Sequence, residues 1–475
     1  MMKIVVMGAG ISGLSTAIAI ERLAARQELA VELVVLEKNS RSGGKIFSIK
    51  EEGYMCEWGP NGFLDNKPMT LELCAQLGIT DRLLRSDDNA RKRFIYAADQ
   101  LHRLPENGPS FLRSKLLSWP GKMRLAAEMM IPPKRDGEDE TLANFARRRL
   151  GSEALERLIG PMVSGIFAGD PETMSLQSCF PRIYQLEQEY GGLLKAMIKL
   201  GKKKRAERKA GKQVASAAGP GGVLTSFSGG IQELTDALSQ QLKGEIRTHS
   251  GVTRIAPRAE GFLLSLEDGS QLETELLISS TPAHALAEIL APTDKSAAEL
   301  LAQIPYAPMN VVCFGYERKK ISRDLAGFGY LIAKGEHRHT LGTLWDSSIF
   351  PNRAPEGQVL LRSMHGGATN PAAALMSTTE IRQCVMDDLR RIMGIEAEPD
   401  FVRIFRHERA IPQYTPGHAA RVAQLTQRLQ TFEGFFLTGN AFSGVGINDC
   451  VNASNQVAEK VIAELRKRQP PSLSA

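Results

Sequence analysis

Three glycines near the N-terminus, Gly8, Gly10 and Gly13, stand at G-x-G-x-x-G spacing and enclose Ile11 and Ser12. At this spacing the first glycine permits a tight turn and the second lets backbone approach a pyrophosphate. The third lets a helix pack closely on a strand. The phosphates of a dinucleotide then lie on the unpaired N–H groups at the positive end of that helix. An acid, Glu37, follows 24 residues after Gly13, close to where a ribose-binding carboxylate belongs. Directly after it come Lys38, Arg41, Gly43, Gly44 and Lys45. Paired glycines allow further close backbone approach, and Arg41 and Lys45 supply positive charge beside a pyrophosphate.

These residues need a strand, a helix and a second strand to hold them. The apolar run Ile4 to Met7 reads as a buried parallel strand, Leu14 to Leu23 as the helix, and Val31 to Leu36 as the next strand. A chain of 475 residues exceeds one ordinary core, and its length predicts about three domains. Its composition, 43% hydrophobic and 24% charged, is that of a soluble globular protein. No apolar run approaches the roughly 18 residues that a membrane span requires. The apolar N-terminus lacks a cleavage site and reads as mature structure rather than a signal peptide. Six scattered cysteines without a C-x-x-C pair argue against zinc and against a disulfide framework, and fit a reduced, cytoplasmic compartment.

Further along, Gly59, Pro60 and Asn61 form a turn before Phe63-Leu64, and Arg93 precedes Phe94. Residues 111 to 131 mix aromatic and aliphatic side chains with cations, a composition suited to lying in a membrane interface. The stretch 195 to 212 carries nine Lys or Arg and one acid, and runs into a glycine-rich segment that reads as a flexible linker. Without an aromatic stacking platform or finger motif, this charge does not read as a nucleic-acid site, and anionic lipid is the better expectation. Asp268-Gly269 signals a hairpin. From Met309 several β-rich runs suit a sheet that walls a pocket. Near the end, Gly439-Asn440 and Gly444-Val445-Gly446-Ile447 make a glycine-rich turn before a helix expected over Asn455 to Arg466, again an anion or polar-ring site.

The Arg41-to-Lys45 segment resembles flavoproteins of the amine-oxidase superfamily, and ordinary nicotinamide dehydrogenases do not need it. The Gly59-Pro60-Asn61 loop, the Gly327-Phe328-Gly329 strand and the C-terminal turn together resemble the oxygen-dependent protoporphyrinogen oxidases, over nearly the whole chain. The resemblance implies FAD, with Val252 touching adenine through its backbone, and Gly59, Pro60 and Asn61 beside the flavin ring. It implies that Arg93 pairs with a substrate propionate, and that Phe328, Gly329, Leu344 and Met364 sandwich the tetrapyrrole. His365 stands where relatives usually carry an apolar residue. The reaction implied is a six-electron oxidation in three steps, each reducing molecular oxygen to hydrogen peroxide, with no certain catalytic side chain.

The fold expected is α/β: a Rossmann-like FAD-binding domain (1–90, 223–295 and 426–468), a mixed-sheet substrate domain (91–110 and 296–425) and a mainly helical, membrane-associating domain (111–212). Cytoplasmic location with peripheral attachment to the cytoplasmic membrane is expected, and a contact with the next haem-pathway enzyme is admitted. Monomer and homodimer stay open. Coproporphyrinogen oxidation, amine oxidation or desaturation, and a flavin-free binding protein resembling Rab GDP-dissociation inhibitors are the alternatives.

Overall fold

The computed structural model of the protein describes residues 1–209 and 222–468. The stretch read as a flexible linker lies, up to residue 221, outside the described residues. Five parallel strands form the nucleotide-side sheet, in the order Glu245–Arg247, Val31–Leu36, Met2–Met7, Leu276–Ser279 and Phe435–Leu437. The middle strand is apolar without alternation because both its faces are covered. Ile4 and Val6 pack under the helices Ile11–Arg26 and Ile447–Arg468, while Val5 and Met7 pack under Ala283–Leu290. The C-terminal helix begins at Ile447, earlier than expected. Asn448, Asp449 and Asn452 disguise its first turns, yet Asn448 is buried, where it accepts from Thr70 at 2.6 Å and donates to the Leu64 carbonyl at 2.9 Å. The Asp268-Gly269 turn joins the antiparallel strands Gly261–Leu266 and Gln271–Thr274.

A second, mixed sheet has seven strands, in the order Phe401–Pro412, Tyr306–Glu317, Gln358–Gly366, Thr340–Leu344, Gly329–Ile332, Arg93–Ala97 and Gln100–Arg103. Only Arg93–Ala97 and Gly329–Ile332 run parallel within it. One face, with Tyr330, Val312, Phe314 and Leu361, buries itself against the helix Thr378–Met393. Side chains alternate across a strand, so the neighbouring positions point to the other face, toward Tyr54 and Cys56.

Residues 108–209 are largely helical. Leu142, Phe145, Val163, Phe167, Met174 and Leu176 form their own core. Beside it Arg149, fully buried, bonds Glu128 and Glu187, and Glu128 also accepts the N–H groups of Leu193 and Leu194. Removing either partner of such a buried pair would strand the other charge in a low dielectric. Glu128 thereby caps the helix Leu193–Lys209, whose first-turn N–H groups favour negative charge. Among the described residues no helix is long and apolar enough to cross a membrane.

Candidate functional site

The parallel strands Met2–Met7, Val31–Leu36 and Phe435–Leu437 all end at one edge of their sheet, and the expected cofactor residues follow them there. Gly8 turns the chain at φ +95°, and a side chain at Gly13 would put Cβ 1.9 Å from the Gly8 carbonyl oxygen. Helix Ile11–Arg26 therefore packs this closely only with glycine at 13. Its N-cap is Gly10, no side chain caps it, and no acid stands in its first turn. Gly10 meets the paired glycines through a bridge to Gly43, and a Cβ on Gly44 would stand 3.0 Å from the Gly10 Cα. Ile11, Ser12 and Gly13 thus open a helix end that the backbone of Gly10, Gly43 and Gly44 approaches closely.

Glu37 is 6% exposed, its carboxylate accepting the N–H groups of Ala9 and Asn39, both at 2.9 Å. The Ser250 N–H donates to the Glu37 carbonyl at 2.8 Å and that of His249 to the Asn39 carbonyl at 3.1 Å, so Val252 begins its strand beside this acid. Lys38 is exposed there. Arg41 and Lys45, expected to carry charge beside a pyrophosphate, both bond protein carbonyls. The Arg41 guanidinium donates to the carbonyls of Ser42, Gly44 and Ile46 and lies 3.9 Å from the Phe47 ring. Lys45 Nζ donates to the carbonyls of Arg409, at 2.7 Å, and Ala410. Arg41 staples the glycine loop, whose inward carbonyls need donors, and Lys45 ties the loop to carbonyls of the strand Phe401–Pro412. Burial pulls the Lys45 ammonium down to about 8.

The Gly59-Pro60-Asn61 turn is held from the mixed sheet. His407 Nε2 lies 2.9 Å from the Trp58 carbonyl, and Arg362 Nη1 donates to the Gly59 carbonyl at 2.9 Å. Arg362 is itself fixed by Asp346 at 2.7 Å, with both side chains buried. Among the described residues the buried amide nitrogen of Asn61 has no hydrogen-bond partner. Arg362 and His407 were not anticipated. Arginine inside the apolar strand Gln358–Gly366 was the available signal, since a cation there demands a buried partner. Gly439 and Gly444, at φ +119° and +116°, turn the segment that carries Asn440, Val445, Gly446 and Ile447 onto the C-terminal helix.

Arg93, Gly329, Leu344 and Met364 share one face of the mixed sheet, by the pairings Arg93 with Gly329, Gly329 with Leu344, and Leu344 and Met364 with Arg362 and Gly342 of their neighbours. Gly329 has φ +124°, and a Cβ there would stand 2.1 Å from the Thr343 carbonyl oxygen, so only glycine keeps this strand pair closed. Arg93 is half-buried, 5.0 Å above the Phe328 ring, and forms no ion pair among the described residues. Burial lowers its pKa without a carboxylate to oppose the shift. His365 points to the opposite face. It is fully buried, neither ring nitrogen has a partner among the described residues, and burial pushes the imidazole down to about 4.

The flavin-containing amine oxidoreductase family matches residues 11–462. The chain belongs to this family. It is 32% identical over 478 residues to the chloroplastic protoporphyrinogen oxidase of Nicotiana tabacum, covering 98% of this chain and 86% of the relative. It is 30% identical over 472 residues to the coproporphyrinogen III oxidase of Bacillus subtilis (strain 168), covering 97% of this chain and 98% of the relative. A crystal structure from Exiguobacterium sp. 255-15 superposes with a TM-score of 0.81 at 25% identity, covering 98% of this chain and 99% of that one. The flavoenzyme's cofactor is FAD. The uncapped helix at Gly10, the glycine cradle of Gly43 and Gly44, the buried Glu37 carboxylate and the unpartnered Asn61 amide fit that group. Ile11 to Gly13 would take its phosphates, Glu37 its ribose, and the turns 59–61 and 439–447 its ring system.

Proposed function

We propose that the chain oxidises protoporphyrinogen IX to protoporphyrin IX, using three molecules of oxygen and releasing three of hydrogen peroxide. FAD, when bound, supplies the redox chemistry by accepting hydride from the substrate and passing the electrons to oxygen. The observation that carries the reading is Arg93, a half-buried cation without an ion partner beside the apolar positions Phe328, Gly329, Leu344 and Met364. Such a cation binds a propionate by charge-assisted hydrogen bonds, while the neighbouring apolar side chains face a flat, apolar macrocycle and exclude water from it. No side-chain base is assigned, and ring tautomerisation moves the remaining protons. The likeness to the Bacillus subtilis relative supports a second reading, coproporphyrinogen III as substrate. Rates with both porphyrinogens, with peroxide counted per porphyrin, test the two. A kcat/KM higher for protoporphyrinogen by an order of magnitude is expected, and the reverse order transfers the assignment to coproporphyrinogen.

The helical region 108–209 is further proposed to lie on a membrane surface, with the protein cytoplasmic and peripherally attached. Among the described residues, the exposed large apolar side chains, apart from Met1 and Leu375, fall between Leu112 and Ile198; Trp119 is 65%, Met123 71% and Met130 84% exposed. Arg113, Lys115, Lys199, Lys202 and Lys203 interleave with them. Apolar anchors with nearby cations fit an anionic lipid surface better than water.

A further inference from the structure

Tyr414 belongs to none of the motifs that mark the cofactor site, yet its side chain reaches the turn that closes it. The residue is 3% exposed, just beyond the strand Phe401–Pro412. Its hydroxyl donates to the carbonyl of Asn440 and accepts the N–H of Gly444 at 2.9 Å. One oxygen thus ties two points of the glycine-rich turn that carries Asn440, Val445 and Gly446. The ring cannot swing away. It lies flat on His418, with centroids 4.2 Å apart and planes at 14°, and Phe167 flanks it at 6.2 Å. Its carbonyl accepts the N–H of Ser175 at 2.7 Å, so the helical region fixes its backbone as well. Burial raises the phenol pKa well above its ordinary value, which keeps the hydroxyl protonated and able to donate. Val445, in the same turn, packs its side chain against the core of the helical region.

We propose that Tyr414 is a positioning residue for FAD. By spanning Asn440 and Gly444, it holds the turn so that the backbone N–H groups opening the helix Ile447–Arg468 face the flavin ring, where they favour negative charge. The inference rests on the FAD assignment and not on the identity of the porphyrinogen, so its test contains no porphyrinogen.

Tyr414→Phe keeps the stack on His418 and the bond to Ser175 but leaves the Gly444 N–H and the Asn440 carbonyl without their partner. An unsatisfied buried donor of this kind weakens FAD binding by about 5- to 100-fold. The dissociation constant is measured by titrating FAD into the apoprotein, alongside the apoprotein's melting temperature and the midpoint potential of the bound flavin. The expected result is weaker FAD binding and a more negative potential of the bound flavin, beyond whatever fall in the apoprotein's melting point the two unsatisfied groups cause. A wild-type dissociation constant overturns the proposal. So does a weakened one with an unchanged potential, which would mark a general packing role.

Discussion

Truncating Arg93 removes a cation on the proposed substrate wall that has no ion partner among the described residues. Its guanidinium touches the Phe328 ring at 5.0 Å and pairs with no carboxylate among the described residues, so in the free protein it is a cation held half out of water with little return. A charge-assisted bond to a propionate contributes roughly 1.5–3 kcal/mol. At about 1.4 kcal/mol per tenfold, Arg93→Ala raises the substrate's Michaelis constant by about 10- to 150-fold. Stability moves little, because the lost cation–π contact, about 0.5–1 kcal/mol, is offset by removing a poorly solvated charge. FAD content stays at the wild-type level, since Arg93 lies on the mixed sheet and away from the glycine turns. Arg93→Lys recovers only part of the loss, because a lysine lacks the planar fork. Steady-state kinetics on wild type, Arg93→Ala and Arg93→Lys, each with its flavin absorbance recorded, make the comparison. A wild-type Michaelis constant in fully loaded Arg93→Ala would refute the assignment and return Arg93 to an incidental surface role.

Two more outcomes are expected. His365 is buried neutral with its pKa near 4, below the ordinary 6.5, and His339 and Arg406 reinforce the shift that burial causes. The unfolded chain therefore binds a proton between pH 6.5 and 4 that the folded protein refuses. Stability from this group is complete above pH 6.5 and is lost as pH falls toward 4, at up to about 1.4 kcal/mol per pH unit. Asp388 and Glu57, raised by burial, act in the opposite sense, so the difference between wild type and His365→Phe is the informative quantity. Denaturant unfolding from pH 5 to 7.5 should show the wild type losing more stability on acidification, and parallel curves would contradict the argument. On membranes, flotation with anionic vesicles should show binding that weakens as salt rises, because surface charge is screened over about 8 Å at physiological ionic strength. Replacing both Trp119 and Met123 by Ala should reduce binding at every salt concentration, and undiminished flotation of that variant would remove the apolar anchor from the proposal.

Features were legible in the chain wherever a short segment carries its own reason. The glycines at 8, 10 and 13 could be read because a turn, a close approach and a tight helix–strand contact each exclude side chains locally. The strands of the mixed sheet were visible as β-rich apolar runs, and the alternation of side chains along a strand puts Arg93, Gly329, Leu344 and Met364 on one face once the pairing is known. The pairing itself was not legible: Arg93–Ala97 and Gly329–Ile332 lie far apart in the chain and meet only in the folded sheet. The tertiary structure alone decided that Arg41 and Lys45 staple carbonyls, and that Arg362 reaches Gly59 across a separation of 303 residues. It also decided that Tyr414 closes the last turn and that His365 faces away from the pocket. Local spacing records hydrogen bonding within a few residues and the side that is buried. The choice of partner for a buried cation, phenol or imidazole depends on which distant strand packing brings within about 3 Å, and no periodicity carries that information.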